Sequence, residues 1–210
     1  MIRSGEAQLV GWSRQMLYSG FNILPRSVIR LASSIDRSDN LDVIRLLAKM
    51  IRNATEHDLS RVAEGMVRLQ QLHVNAYPKV YKPFSQSDAA SYLTGILSRP
   101  EFNIRVAINS DQIAGHSVLV VESTQKTMFK HAQKFGHVTQ MEVDPEFRRR
   151  GIGKSLLDDA CKLATQLGLN RIVLDVWAFN DAARDLFIDC DFAPVGSKLV
   201  RVIDLSLIHI

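Results

Sequence analysis

Thr139-Gln140-Met141-Glu142-Val143 reads as a strand, and Arg148-Arg149-Arg150-Gly151-Ile152-Gly153-Lys154 follows it as a glycine-punctuated turn opening a helix near Ser155. A helix start leaves its first backbone N–H groups unpaired and carries partial positive charge, so an anion docked there satisfies donors and dipole together. Gly151 and Gly153 bring no Cβ to block an approach, and the arginines and Lys154 add fixed cations, guanidinium matching phosphate oxygens in a forked geometry. The expected ligand carries a pyrophosphate. Gly153-Lys154-Ser155 also resembles the second half of a nucleotide-binding P-loop, with Ile172-Val173-Leu174-Asp175 as its metal-holding strand. That motif needs a further glycine where Arg148 stands. A basic helix start with two flexible glycines and no ligand is the plainer reading of the turn taken alone.

Its surroundings favour a ligand. Arg148-x-x-Gly151-x-Gly153 after a strand resembles the acetyl-coenzyme A signature of the GNAT acetyltransferase superfamily. Asn180-Asp181-Ala182-Ala183-Arg184-Asp185-Leu186-Phe187, with Asp191-Phe192 beyond it, is similar to that family's Asn-x-x-Ala helix. Met50 to Leu59 is similar to its opening strand and first helix. The resemblance covers residues 50–204. Residues 1–48 are read as an N-terminal extension of uncertain status, and 205–210 as an artefactual adapter-like tail outside the fold.

The resemblance implies an α/β (α+β) GNAT fold: a central mixed, mostly antiparallel sheet, splayed into a V between its fourth and fifth strands, with about four flanking helices. It implies that the backbone of Met141 and Val143 holds the pantetheine arm of acetyl-CoA. Arg148, Arg149, Arg150, Gly151, Ile152, Gly153 and Lys154 would hold the pyrophosphate, and Asn180 would contact the cofactor near its thioester. Met141 and Val143 equally suit any buried strand, and Asn is a common helix N-cap. The implied reaction is acetyl transfer to a primary amine by direct attack. An ammonium must first lose its proton, and His137 is the candidate base, on the face of Met141 by two-residue alternation. Glu142 is the rival, directed to the opposite face unless a bulge intervenes. His116 and His131 are weaker candidates. Two positions depart from the family: Phe187 stands where many relatives carry a proton-donating tyrosine, and Asp191 where glycine is usual.

Composition bounds the rest. At 210 residues, 46% hydrophobic and 23% charged, the chain has the make-up of one globular domain. A net charge of +4 without aromatic-basic interleaving suits an anionic cofactor and gives no reason to expect nucleic acid. Cys161 and Cys190 have no ligand partners at metal spacing, so no metal is expected; both are read as buried free thiols in a reducing cytoplasm. No apolar run is long enough to span a bilayer, and no membrane partner is expected. The protein is expected to be a monomer or homodimer.

Thr55 with Asp58 reads as a capping box ahead of a helix carrying Leu59, Val62, Ala63, Met66 and Leu69 on one face. Ser87 is taken as the cap of a second helix, running to Ser98. Strands at 105–108 and 116–121 flank a turn at 109–112, and a basic loop spans 123–135. Then come a strand at 137–143, a helix at 153–167, a strand at 171–177, a helix at 180–190, and a closing hairpin around Phe192 and 198–204. Residues 73–84 and 123–135 are expected to shape the acceptor site, with Tyr77, Tyr81 and Phe84 lining an apolar slot. Lys79, Lys82, Lys126, Lys130 and Lys134 argue mildly for an amine that also bears an anion. A protein N-terminus or lysine stays open as acceptor, as does a coenzyme A-binding module without turnover.

Overall fold

The computed structural model describes residues 49–109 and 111–201; the expectations for 1–48 and 205–210 lie outside them. Of these, the residues from Ile51 onward fall in one compact unit. In chain order the elements are β1 (Lys49–Asn53), a 3-10 turn (Glu56–Asp58), α1 (Leu59–Ala76), α2 (Gln86–Leu97), β2 (Phe102–Asn109), β3 (Gln112–Thr124), β4 (Gln133–Val143), a second 3-10 turn (Pro145–Phe147), α3 (Ile152–Gln166), β5 (Ile172–Leu174) and α4 (Asp181–Asp189).

The five strands form one sheet in the order β1-β2-β3-β4-β5. β2, β3 and β4 pair antiparallel, whereas β5 runs parallel to β4. This is the mixed, mostly antiparallel sheet with four helices that the resemblance implied. One face packs on α1 and α2, where Leu59, Val62, Ala63, Met66, Leu93 and Ile96 meet Ile104, Val106, Val118 and Val120. The other packs on α3, where Ile152, Leu156 and Ala160 meet Ala107, Ala114, Leu119 and Val138. Alternation along β3 separates the two sets: even-numbered residues from His116 to Val120 face α1, odd-numbered ones face α3.

Local chemistry explains the boundaries. Asp58 accepts from both the N–H and the hydroxyl of Thr55, at 2.7 and 2.8 Å, closing the predicted capping box. The cap of α2 is Ser85, not Ser87: its hydroxyl accepts from the N–H of Asp88, whose carboxylate accepts from the N–H of Ser85. α4 ends in a Schellman motif, with Phe192 N–H on Phe187 O and Asp191 N–H on Ile188 O, both 3.0 Å. Asp191 therefore sits left-handed at φ 64°, the strain its place in the sequence suggested.

Three expectations are corrected. The strand at 171–177 shrinks to Ile172–Leu174, because the chain leaves β4 beyond that point. No strand follows α4 among the described residues; Pro194 offers no N–H for a ladder, and Val195, Leu199 and Val200 lie exposed. The cysteines are unpaired but not buried: Cys161 is exposed and Cys190 only partly covered. Cys161 falls one position past Ala160 on α3, which turns it off the buried face, and α4 has no buried residue at all.

Candidate active site

The site begins at an irregularity in β4. Val118 pairs with Gln140 and Leu119 with Val138, which leaves Thr139 as an extra residue, a β-bulge. β5 pairs with β4 only at Gly136, His137 and Val138. From Thr139 to Val143, β4 continues without β5 beside it, and the V opens where the bulge lies.

Backbone direction follows from the hydrogen bonds at either end. The N–H of Gly136 donates to Arg171 O at 3.0 Å, toward β5, whereas the N–H of Asp144 donates to Ala114 O at 2.9 Å, toward β3. Alternating back from Asp144, the polar backbone groups of Met141 and Val143 point away from β3, into the V. Arg148 Nε donates to Val143 O at 3.0 Å, tying the mouth of the turn to the strand.

In the turn, Arg149 and Gly151 are both left-handed, at φ 61° and 77°. Gly151 is the N-cap of α3 and brings no side-chain cap; the first turn carries no acidic residue. The first N–H groups of α3 are thus left without a side-chain acceptor, while α2 and α4 have Ser85 and Asn180 in that role. Lys154, Arg149 and Arg148 are exposed around this end, and Arg150 stacks over Phe147 with its guanidinium 5.4 Å from the ring centroid. Ile152 points inward, 3% exposed, and anchors the turn to the core. Gly153 has a second duty: a Cβ there would stand 2.8 Å from Leu186 Cδ2, so its bareness lets α4 close onto α3. Asn180 caps α4 through its Oδ1, which accepts from Ala183 N–H at 3.2 Å. Phe187 packs against Phe192 with centroids 6.2 Å apart.

The bulge also changes which side chains meet. His137 lies opposite Val120, Gln140 opposite Val118 and Glu142 opposite His116, so all three face α1. Met141 and Val143, opposite Ser117 and Gly115, face α3. The expectation that His137 shares a face with Met141 is therefore overturned: one inserted residue reverses the parity.

On the α1 face, Glu142 is 6% exposed and accepts from Arg68 Nε and Nη2 at 3.1 and 3.2 Å. Arg68 also reaches Asp144 at 3.2 Å, and Arg61 pairs with Asp144 and Glu64. Gly65 sits one helical turn before Arg68, where a Cβ would lie 2.7 Å from His116 Cε1 and 2.8 Å from Glu142 Oε2. His116 is fully buried, its Nε2 lacks a partner, and burial, aided by the charge of Arg68, holds its pKa down to about 4. It is a neutral, enclosed ring.

His137 is more accessible and sits at the vertex of the V. Its Nδ1 lies 2.8 Å from Glu122 Oε1 and its Nε2 lies 3.2 Å from Asp175 Oδ2. A carboxylate only accepts, so the shorter Glu122 contact takes the Nδ1–H. Asp175 has a side chain 87% exposed, against 41% for Glu122, so the shorter Glu122 contact fixes the ring and the Asp175 contact is the one easily exchanged.

Glu122 lies one residue past the strand end that the sequence suggests at Val121, so only the longer β3 brings it to the site. Once Val120 and His137 pair, Glu122 is the diagonal neighbour on the same face. Trp177 and Phe179 were also missed. Tyr77 and Tyr81 belong to one aromatic group, linked through Trp177, Phe179 and His73 in ring contacts of 5.1 to 5.8 Å. Burial, and then the charge of Asp175, raise the Tyr81 phenol, which stays protonated. Phe84 joins the α1–α2 core rather than this group.

Residues 66–192 match the model of the acetyltransferase (GNAT) family. The chain belongs to that family. A glucosamine 6-phosphate N-acetyltransferase of Trypanosoma brucei brucei is 30% identical over 64 residues, a stretch that spans 30% of this chain and 42% of that protein. Among solved structures, a protein of Bacillus halodurans superposes with TM-score 0.69 at 19% identity, covering 73% of this chain and 99% of its own. An aminoglycoside N-acetyltransferase in complex with CoA superposes with TM-score 0.60 at 14% identity, covering 74% and 94%. At these identities the structures speak for the GNAT fold alone. Among the described residues no helix is long and apolar enough to cross a membrane, and no group of three His, Cys, Asp or Glu is placed to hold a metal.

Proposed function

We propose that this GNAT chain transfers the acetyl group of acetyl-CoA to a primary amine of a small molecule, by direct attack in a ternary complex. The observation that carries the reading is the continuity of β4's unpartnered stretch, from Thr139 to Val143, with the uncapped start of α3. A pantetheine arm would pair with the backbone of Met141 and Val143 as an added strand. The pyrophosphate would lie on the N–H groups of residues 152–154, with Arg148, Arg149, Arg150 and Lys154 around it and Gly151 supplying the left-handed turn. Asn180 begins the helix that packs on Gly153 and would stand near the thioester.

Acetyl-CoA, when bound, supplies an acyl thioester as the electrophile. The chain's task is the proton, since an amine of pKa ~10.4 is neutral in only about one molecule in two thousand at pH 7. His137 is the proposed base. Glu122 holds Nδ1–H and fixes the ring, and Nε2, exchanging Asp175 for the substrate ammonium, takes the proton. Glu142 serves less well, because Arg68 already occupies both of its oxygens. The amine nitrogen would then bond to the carbonyl carbon as the C–S bond breaks, and the proton still in excess on that nitrogen would pass to water. Phe187 offers no proton to the leaving thiolate, but a thiol of pKa ~8.5 leaves as the anion at a cost of only about 2 kcal/mol at neutral pH. The same absence motivates a second reading, a coenzyme A-binding module without turnover. A protein N-terminus or lysine is the other acceptor to test. A cytoplasmic location, as monomer or homodimer, accords with a small-molecule acceptor.

Release of free thiol from acetyl-CoA across a panel of small amines and peptides, beside calorimetric titration of acetyl-CoA, tests this. Acceptor-dependent thiol release is expected, with an ascending pH limb in kcat/KM that flattens in His137→Gln while cofactor affinity holds. Tight binding with no release for any acceptor would establish the second reading; an unchanged limb in His137→Gln would remove that base.

A further inference from the structure

β3 and β4 are joined by a turn whose tip is Thr127-Met128-Phe129-Lys130. Met128 is 89% exposed and Phe129 83%, two large apolar side chains side by side in water. The turn that presents them is closed. Thr127 N–H donates to Lys130 O at 2.9 Å, and the Thr127 hydroxyl accepts from the N–H groups of Phe129 and Lys130, at 3.2 and 3.0 Å. The two side chains are thus held outward, with their ordering cost already met by the fold.

Charge around the tip has one sign. Lys126, Lys130 and Lys134 flank it, with His131 between, and no Asp or Glu occurs from Ser123 to Met141. All four basic residues are exposed. Convex apolar tips ringed by lysine fit a soft anionic surface: apolar groups enter the acyl boundary, while ammonium heads stay at the phosphate level on their flexible stems. A nucleic acid would use the lysines but leave Met128 without a role. A protein would need an acidic-rimmed concavity to receive two protruding side chains.

We propose that this hairpin tip docks the protein on an anionic phospholipid surface. No membrane partner is expected from the apolar runs, none of which is long enough to span a bilayer; a peripheral contact by two side chains needs no such segment. The position suits the catalytic reading. The tip lies beyond Gln133, and six residues of strand, about 20 Å, separate Gln133 from the bulge at Thr139. Docking therefore leaves both the V and the phosphate turn open.

The test is partition of the full chain onto vesicles of phosphatidylcholine alone and of phosphatidylcholine with about a third phosphatidylserine. Binding to the anionic vesicles, weakened about tenfold or more in Met128→Ser with Phe129→Ser and also weakened in Lys126→Gln with Lys130→Gln, is expected. Circular dichroism confirms that these exposed substitutions leave the fold intact. No partition of the parent, or equal partition of the parent and the Met128/Phe129 variant, would overturn the proposal. So would parent binding to duplex DNA or RNA that outcompetes the anionic vesicles at equal salt.

Discussion

His116 makes stability depend on acid over an interval well above the carboxylate range. The ring is fully enclosed beneath Gly65, opposite Glu142, with Nε2 unpartnered and its pKa held down to about 4. In the unfolded chain the same ring titrates near 6.5. As pH falls through that interval, the unfolded chain takes up a proton that the folded chain refuses, so stability declines. The complete interval corresponds to about 3 kcal/mol, of which about 2 kcal/mol is already lost near pH 5. Asp58 acts lower down: the Arg52 hydrogen bonds hold its carboxyl at about 2, so its contribution disappears only between about pH 4 and pH 2. Urea unfolding near pH 7, 6 and 5 isolates the histidine. His116→Leu and His116→Gln have nothing to titrate, so over this range the parent should lose about 2 kcal/mol more than either variant, whatever their absolute stabilities. A parallel decline in parent and both variants would refute the assignment of a neutral buried ring.

Gly65→Ala should destabilise the chain despite alanine's better helix propensity, because the added Cβ stands within 2.9 Å of His116 and Glu142 atoms in a filled core. Overpacking of about 1–3 kcal/mol outweighs a gain of about 1 kcal/mol, which urea unfolding measures. Asp191→Gly should stabilise by about 1 kcal/mol, read as a raised urea midpoint, by relieving a left-handed non-glycine residue in the Schellman motif of α4.

Those predictions rest on contacts that the sequence displayed unevenly. The glycine turn, the apolar face of α1 and the Thr55–Asp58 box were readable because each is local, with residue type and spacing fixing the chemistry within a few turns of chain. Where a role depends on a neighbour far along the chain, the sequence was silent. Glu122 orients His137 from fifteen residues away through strand register, and Arg68 claims Glu142 from another element altogether. Gly153 was legible as space for a ligand but not as space for Leu186. Trp177 looked like the end of a strand, and only the early end of β5 frees it to meet Tyr77 and Tyr81.

The bulge at Thr139 is the instructive intermediate case, since its signature is present in the hydrophobic pattern. Val138 packs with Leu119 and Ala160 against α3, and Met141 and Val143 pack on the same side. Residues 138 and 141 are three apart, and strict alternation cannot place both on one face. A regular strand that kept Val138 on α3 would have to bury the Glu142 carboxylate beside Ala107 and Leu156 and turn Met141 and Val143 toward Arg68. One extra residue resolves the conflict and sends Glu142 to its arginine. The bend that it introduces stands where β4 and β5 part company. The irregularity that misdirected the face of His137 is thus also the feature that opens the V, and a reading of β4 that demanded a consistent apolar face would have located both.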